Sequence, residues 1–183
     1  MELIKYYNQN KEYIKTLERG HNSAKGLWYN IVIALIVNLK SQKLYLQLDT
    51  KNNLQLSAGG HVQHNEEIED AITREMMEET GINTYDCELL NTFTYKYCSK
   101  NQFHKYFIYN ADVSLNSFHI NDKDEILSFI EIEIDELLNQ SNCIAKMKDE
   151  SKRCIVREQI LKAFNGGEIL NKVCNIIKNL PSF

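Results

Sequence analysis

The sequence predicts a domain that mixes strands and helices, α/β or α+β on pattern alone. Three observations predict it. Residues 28–37 are a near-continuous apolar run, fit for a strand buried on both faces. Residues 85–97 and 103–111 read as two further long strands rich in Tyr and Phe. Between them, residues 65–82 carry apolar side chains at helical spacing. The chain has 183 residues, 43% of them apolar, which fits one domain, 1–183, with a substantial core.

In chain order, residues 1–20 are rich in Lys, Glu, Tyr and Leu and lack Gly until Gly20, so they read as a short N-terminal helical extension followed by a loop over 18–26. Lys43 to Gln47 alternates as Lys-Leu-Tyr-Leu-Gln and reads as the hairpin partner of the 28–37 strand, with residues 38–42 as the turn. A short strand over 54–57 leads into Gly59-Gly60, where the lack of Cβ atoms lets the backbone bend and bring its carbonyls close to a ligand. Tyr95, Tyr97, Tyr106 and Tyr109 sit at strand spacing, which points to cross-strand packing. Asn121-Asp122-Lys123-Asp124-Glu125 is an acidic loop before a strand over 126–134, and Asp135 caps a short helix through Asn139. Residues 140–150 form a polar connection, and C-terminal helices over 151–164 and 168–180 are separated by Gly166-Gly167. No repeat or low-complexity linker divides the chain.

A net charge of −4 leaves no broad basic footprint for nucleic acid. There is no apolar run of membrane-spanning length and no signal pattern at the N-terminus, so the expectation is a soluble, cytoplasmic protein with no membrane partner. Cys87, Cys98, Cys143, Cys154 and Cys174 are scattered without a CxxC pair, as expected of reduced thiols.

The chemistry concentrates in residues 60–82. In a helix starting near Asn65, Glu75, Glu78 and Glu79 stand at i, i+3 and i+4 and share one face. Ile68, Ala71, Ile72, Met76 and Ile82 form an apolar stripe; Glu75 and Glu79 fall inside it and Glu78 at its edge. Acids on a core-facing stripe repel one another and lose hydration, which raises their pKa values unless a cation compensates. Oxygen-only ligands suit a hard cation such as Mg²⁺ or Mn²⁺, and Mg²⁺ favours a phosphate as its further partner.

Gly60, five residues, Glu66, seven residues, Arg74-Glu75, Met76, Met77, Glu78-Glu79, Thr80, Gly81 and Ile82 match the Nudix box at every defining position. The chain therefore resembles the Nudix hydrolases. That resemblance implies an α/β/α sandwich with a mixed β-sheet between helices, and hydrolysis of a small-molecule diphosphate with Mg²⁺ or Mn²⁺. It implies metal ligation by Glu75, Glu79, Glu78 and a carbonyl at Gly59 or Gly60. It also implies that Glu78 orients water if it is not a ligand, that Arg74 fixes Glu78, and that Glu66 pairs with Arg74 or completes the metal shell. Glu125 and Asp124 are candidates for an extra acid. Many family members are dimers, so a homodimer is a further expectation.

A narrower resemblance, to the branch near isopentenyl diphosphate isomerase, runs through Arg19, His21, Gly26-Leu27 and Ser57-Ala58-Gly59-Gly60-His61-Val62. It makes isomerisation the rival reaction, and a non-catalytic nucleotide sensor is a third reading. That isomerase uses a cysteine where this chain has Gly59, a third histidine where it has Trp28, and acids where it has Phe103-His104-Lys105. A general acid cannot be replaced by glycine without losing its step, so hydrolysis is favoured. Substrate choice is expected in the loops near 20–28, 98–105 and 141–150.

Overall fold

A computed structural model describes residues 2–121, 124–139, 143–147, 152–155 and 157–180. Strand β1 (Leu3–Tyr7) and β2 (Tyr13–Glu18) form an antiparallel hairpin. This corrects the helical reading of residues 1–20. Ile4 and Tyr6 alternate inward, and single bridges from Ile4 to Gln63 and from Tyr7 to Trp28 tie the hairpin to the body. Aromatic and β-branched residues pack well on a pleated surface. The Asn8 side chain accepts from the Asn10 and Glu12 N–H groups in the turn, where Lys11 takes a positive φ.

The main sheet contains β3 (Tyr29–Asn38), β4 (Lys43–Asp49), β5 (Leu54–Gln55), β6 (Ala58–His61), β7 (Glu88–Tyr97), β8 (Gln102–Asn110), β9 (Ile126–Glu133), β10 (Cys143–Met147) and β11 (Lys152–Ile155). Among the described residues its order is β11-β10-β9-β4-β3-β8-β7, with β5 on β4 and β6 on β3. The β3–β8 pair is parallel and the others are antiparallel, so the sheet is mixed. Strands β3 and β4 pair as the hairpin expected from their patterning.

Helices α1 (Ile68–Thr80), α2 (Ile134–Leu138), α3 (Arg157–Ala163) and α4 (Gly167–Lys178) complete the framework. Along β3, Val32, Ala34 and Ile36 pack with Ala71, Ile72 and Met76 of α1. The alternate residues Leu35 and Val37 join Ile160, Phe164, Ile169 and Val173 on the other face. A strand buried on both sides thus sits between helical layers, giving the α/β/α sandwich.

Several boundaries differ from expectation. Helix α1 begins at Ile68 rather than near Asn65, with the Asp70 carboxylate accepting from the Glu67 N–H at 3.4 Å. Asp135 lies in the first turn of α2, and Glu133 is its N-cap. The supposed helix over 151–164 is interrupted: residues 152–155 pair with β10 as a strand, and α3 follows. The polar connection over 140–150 contains β10, while residues 140–142 and 148–150 lie outside the described residues. All five cysteines are free, and among the described residues no helix is long and apolar enough to cross a membrane.

Tyr106 and Tyr109 are buried packing residues, while Tyr95 and Tyr97 are half-buried. Tyr106 stacks on Phe93 at 4.6 Å, Tyr109 on Phe107 at 6.1 Å, and Tyr97 lies 5.3 Å from His104. The Tyr95 hydroxyl donates to Glu168.

Candidate active site

The acids of α1 divide between a buried side and an exposed edge, as the apolar stripe requires. Ala71, Ile72 and Met76 are buried, and Glu75 beside them is only 8% exposed. The Glu78 side chain is 60% exposed. The helix stops at Gly81, whose φ of 73° and N–H to the Met77 carbonyl close the last turn.

Arg74 is the organising side chain. Its Nε and Nη2 donate to the two Glu66 oxygens at 3.0 and 2.7 Å, and Nη2 also donates to the His61 carbonyl at 3.0 Å. Its Nη1 donates to Glu75 at 2.7 Å and to Glu78 at 3.1 Å. All five guanidinium donors are therefore used. This places Glu66 in a bidentate pair with Arg74, where the Gln63 N–H also donates to it at 2.7 Å. Burial by itself would raise the Glu66 carboxyl, but these hydrogen bonds and the Arg74 charge hold it below the usual range.

Glu75 and Glu79 are in the opposite condition. Burial pushes the Glu75 carboxyl up, against the pull of Arg74. Burial also pushes Glu79 up, to about 7; the Gly59 N–H opposes the rise, while the charges of Glu75 and Glu125 add to it. The Glu79 Oε2 accepts from the Gly59 N–H at 3.0 Å and from Gln47 Nε2 at 3.1 Å.

The two glycines are needed for space. Neither takes a positive φ, and both lie in extended strand β6, which corrects the expected sharp bend. A Cβ at Gly60 would collide with the Glu75 carboxylate, and one at Gly59 would come within 2.7 Å of the Val32 carbonyl. Helix α1 can press Glu75 onto the strand only because Gly60 has no Cβ, while Gly59 lets β6 lie close against β3.

Glu79 faces a cleft of about 610 Å³ bordered by Gln47, Gly59, Gly60, Asp124 and Glu125. The structure thus brings Glu125 and Asp124 to the cleft containing Glu79. The loop is held there by Thr50, whose N–H donates to the Glu125 carbonyl and whose hydroxyl donates to that of Asp124. Of its other members, Asp122 and Lys123 lie outside the described residues.

Sequence reasoning missed Gln47, the His61 carbonyl and the steric role of Gly60. For Gln47 a signal existed. Tyr45 and Gln47 alternate with the buried Leu44, Leu46 and Leu48 on β4, so Gln47 is a polar side chain pointing toward the α1 layer. His21 is exposed, as expected of a loop histidine, and its Nδ1 caps a short turn by accepting from the Ser23 N–H at 3.1 Å.

Fold and site together define an α/β/α sandwich that presents arginine-clamped carboxylates beside a polar cleft. Residues 29–157 match the family model described as the NUDIX domain, and the chain belongs to the Nudix family. No curated protein sequence matches it. Solved structures similar to it include DR0079 from Deinococcus radiodurans, with a TM-score of 0.61 and 20% identity over 76% of this chain and 88% of that one. An Ap4A hydrolase from C. elegans, solved as a binary complex, has a TM-score of 0.54 and 14% identity over 82% and 99% of the two chains. A MutT NUDIX hydrolase from Burkholderia pseudomallei has a TM-score of 0.46 and 21% identity over 58% and 84%. At these identities the likeness is one of fold.

Proposed function

We propose that this Nudix protein hydrolyses a diphosphate linkage in a nucleoside diphosphate derivative or related organic diphosphate, using Mg²⁺ or Mn²⁺. The observation that carries the reading is the pair Glu75, buried, and Glu79, partly buried, two carboxylates one turn apart whose ionisation is opposed by loss of hydration. The donor set fits a hard cation. Among the described residues no three acidic, His or Cys side chains already converge as a cage. Mg²⁺, however, commonly takes one or two carboxylates and completes its shell with water and substrate phosphate.

Glu75 and Glu79 would hold the ion, with Glu78 as a third ligand or the group that orients water. The Gly59 carbonyl is a further ligand candidate, because the N–H and C=O of a strand residue leave on the same side and this N–H already meets Glu79. A bound ion neutralises phosphate oxygens and lowers the pKa of water. The chain's own residues supply orientation. Arg74 aligns Glu66, Glu75 and Glu78, while Gln47 and the Gly59 N–H fix Glu79. Glu125 is our candidate for orienting the attacking water. The products are two phosphate-bearing fragments, or orthophosphate if a terminal group is cut.

The resemblance to the isopentenyl diphosphate isomerase branch has one supporting observation: His21 and His61 border a common pocket. Against it, Trp28 packs on Phe103 at 5.0 Å where a third histidine would be needed, and Gly59 carries no acid.

The test is release of phosphate and nucleotide from a panel of nucleotide sugars, dinucleoside polyphosphates and isopentenyl diphosphate, with Mg²⁺ or Mn²⁺, for wild type and Glu79→Gln. Metal-dependent cleavage reduced at least about a hundredfold in the variant is expected, since even residues that only orient ligands contribute up to that much. Isomerisation of isopentenyl diphosphate, or nucleotide binding without turnover of any panel member, overturns the reading.

A further inference from the structure

We propose that the pocket adjoining the carboxylate cleft is a second anion subsite, and that the substrate is a diphosphate carrying an additional phosphate group. The inference rests on the hydrolase reading for the position of the scissile diphosphate, but it stands on different residues. The pocket measures about 600 Å³ and shares His61 with the cleft. Arg19, following β2, Lys25, in the loop before β3, and Lys100, in the turn between β7 and β8, all border it. Among the described residues, none of those bordering it is acidic. Three cations from three separate segments around one cavity are a local concentration in a chain whose net charge is −4.

Glu2 reaches this region. Its Oε2 pairs with Arg19 at 3.2 Å and its Oε1 lies 3.9 Å from His61 Nδ1. It offsets one of the cations. The floor is polar and ordered: Gln102 Nε2 donates to the Tyr29 hydroxyl at 2.6 Å, and the Tyr29 ring stacks on His61 at 5.3 Å. His61 is held on its other side through its carbonyl, which accepts from Arg74. His61 thus forms the wall between a cavity bordered mainly by acids, Asp49, Glu79, Asp124 and Glu125 against Lys51, and a cavity bordered by cations.

The opposite signs indicate how each would take phosphate. The cleft, where acids outnumber Lys51, takes a diphosphate best with a metal ion between them, whereas the cationic pocket can bind phosphate directly through charge-assisted hydrogen bonds. A ligand that satisfies both carries a metal-chelated diphosphate at one end and a metal-free phosphate at the other. The two loops expected to select substrate, near 20–28 and 98–105, meet at this pocket.

The experiment compares substrates in pairs that differ by one phosphate: ADP-ribose against its 2′-phosphorylated form, and dephospho-coenzyme A against coenzyme A. Wild type is expected to favour the phosphorylated member about tenfold in kcat/KM. The exposed double variant Lys25→Ala/Lys100→Ala should lose that preference through KM, with kcat unchanged and cleavage of the other member retained. A wild type without preference, or a variant that keeps it, overturns the proposal. A second measurement separates this failure from failure of the hydrolase reading: calorimetric binding of tripolyphosphate, without metal, to Glu79→Gln protein with and without the two lysine substitutions. Binding weakened about tenfold by the substitutions supports the subsite even if no panel member is turned over. Equal binding by both proteins overturns it.

Discussion

Gly60 and Arg74 show at single-residue scale how the carboxylates are held. A methyl group at Gly60 occupies the volume of the Glu75 carboxylate, so Gly60→Ala must move that acid or the strand. Turnover is expected to fall by about tenfold to a hundredfold, the range for losing support of a ligand, while the thermal midpoint changes little. Steady-state kinetics beside a melting curve checks this, and an active Gly60→Ala enzyme would contradict it. Arg74→Lys keeps the charge but replaces five fixed donors with three on a flexible stem. Glu66, Glu75, Glu78 and the His61 carbonyl cannot all be served at once. A comparable loss of kcat is expected, and wild-type kcat in this variant would show that charge alone suffices.

At the scale of elements, α1 depends on its stop as much as on its stripe. Gly81 adopts a φ of 73° and a Cβ there would lie 3.0 Å from His119. Gly81→Ala therefore incurs both left-handed strain and crowding, and should lower unfolding free energy by about 1–2 kcal/mol. Urea denaturation measures it, and an unchanged midpoint would mean that the turn relaxes without cost. The hairpin β1–β2 illustrates the limit of local pattern. Its richness in Lys, Glu, Tyr and Leu without a Gly before Gly20 suits a helix by composition, and Gly20 does mark a turn, with a φ of 79°. Yet the β1–β2 ladder, with the bridges to Gln63 and Trp28 that dock it, holds it extended.

For the whole molecule, buried histidine couples folding to pH. His104 is 4% exposed between Gln102 and Tyr106. Burial lowers its pKa from 6.5 to about 4, with the Lys100 charge adding to the effect. The unfolded chain therefore binds the proton more readily than the native one between those values. The stability contribution of the neutral ring is complete above pH 6.5 and is lost as pH falls toward about 4. The loss should reach on the order of 3 kcal/mol. Unfolding midpoints measured across this window should fall more steeply for wild type than for His104→Gln. Parallel profiles would rule out His104 as a source of acid sensitivity.

Much of the site was legible because its logic is helical. Fixed residue spacing puts Glu75 and Glu79 on the stripe of Ile72 and Met76 and sets Arg74 one turn from Glu78, so the sequence by itself determined which acids turn inward and why burial raises them. The apolar run of β3 likewise determined a strand covered on both faces. Tertiary structure decided what no local period encodes. It set the hairpin at residues 3–18, the Gln47 amide beside Glu79, and the close approach that requires glycine at positions 59 and 60. It also decided that the loops holding Arg19, Lys25 and Lys100 share one pocket with His61. Those contacts join residues far apart in the chain, and their geometry depends on how strands and helices pack rather than on neighbouring sequence.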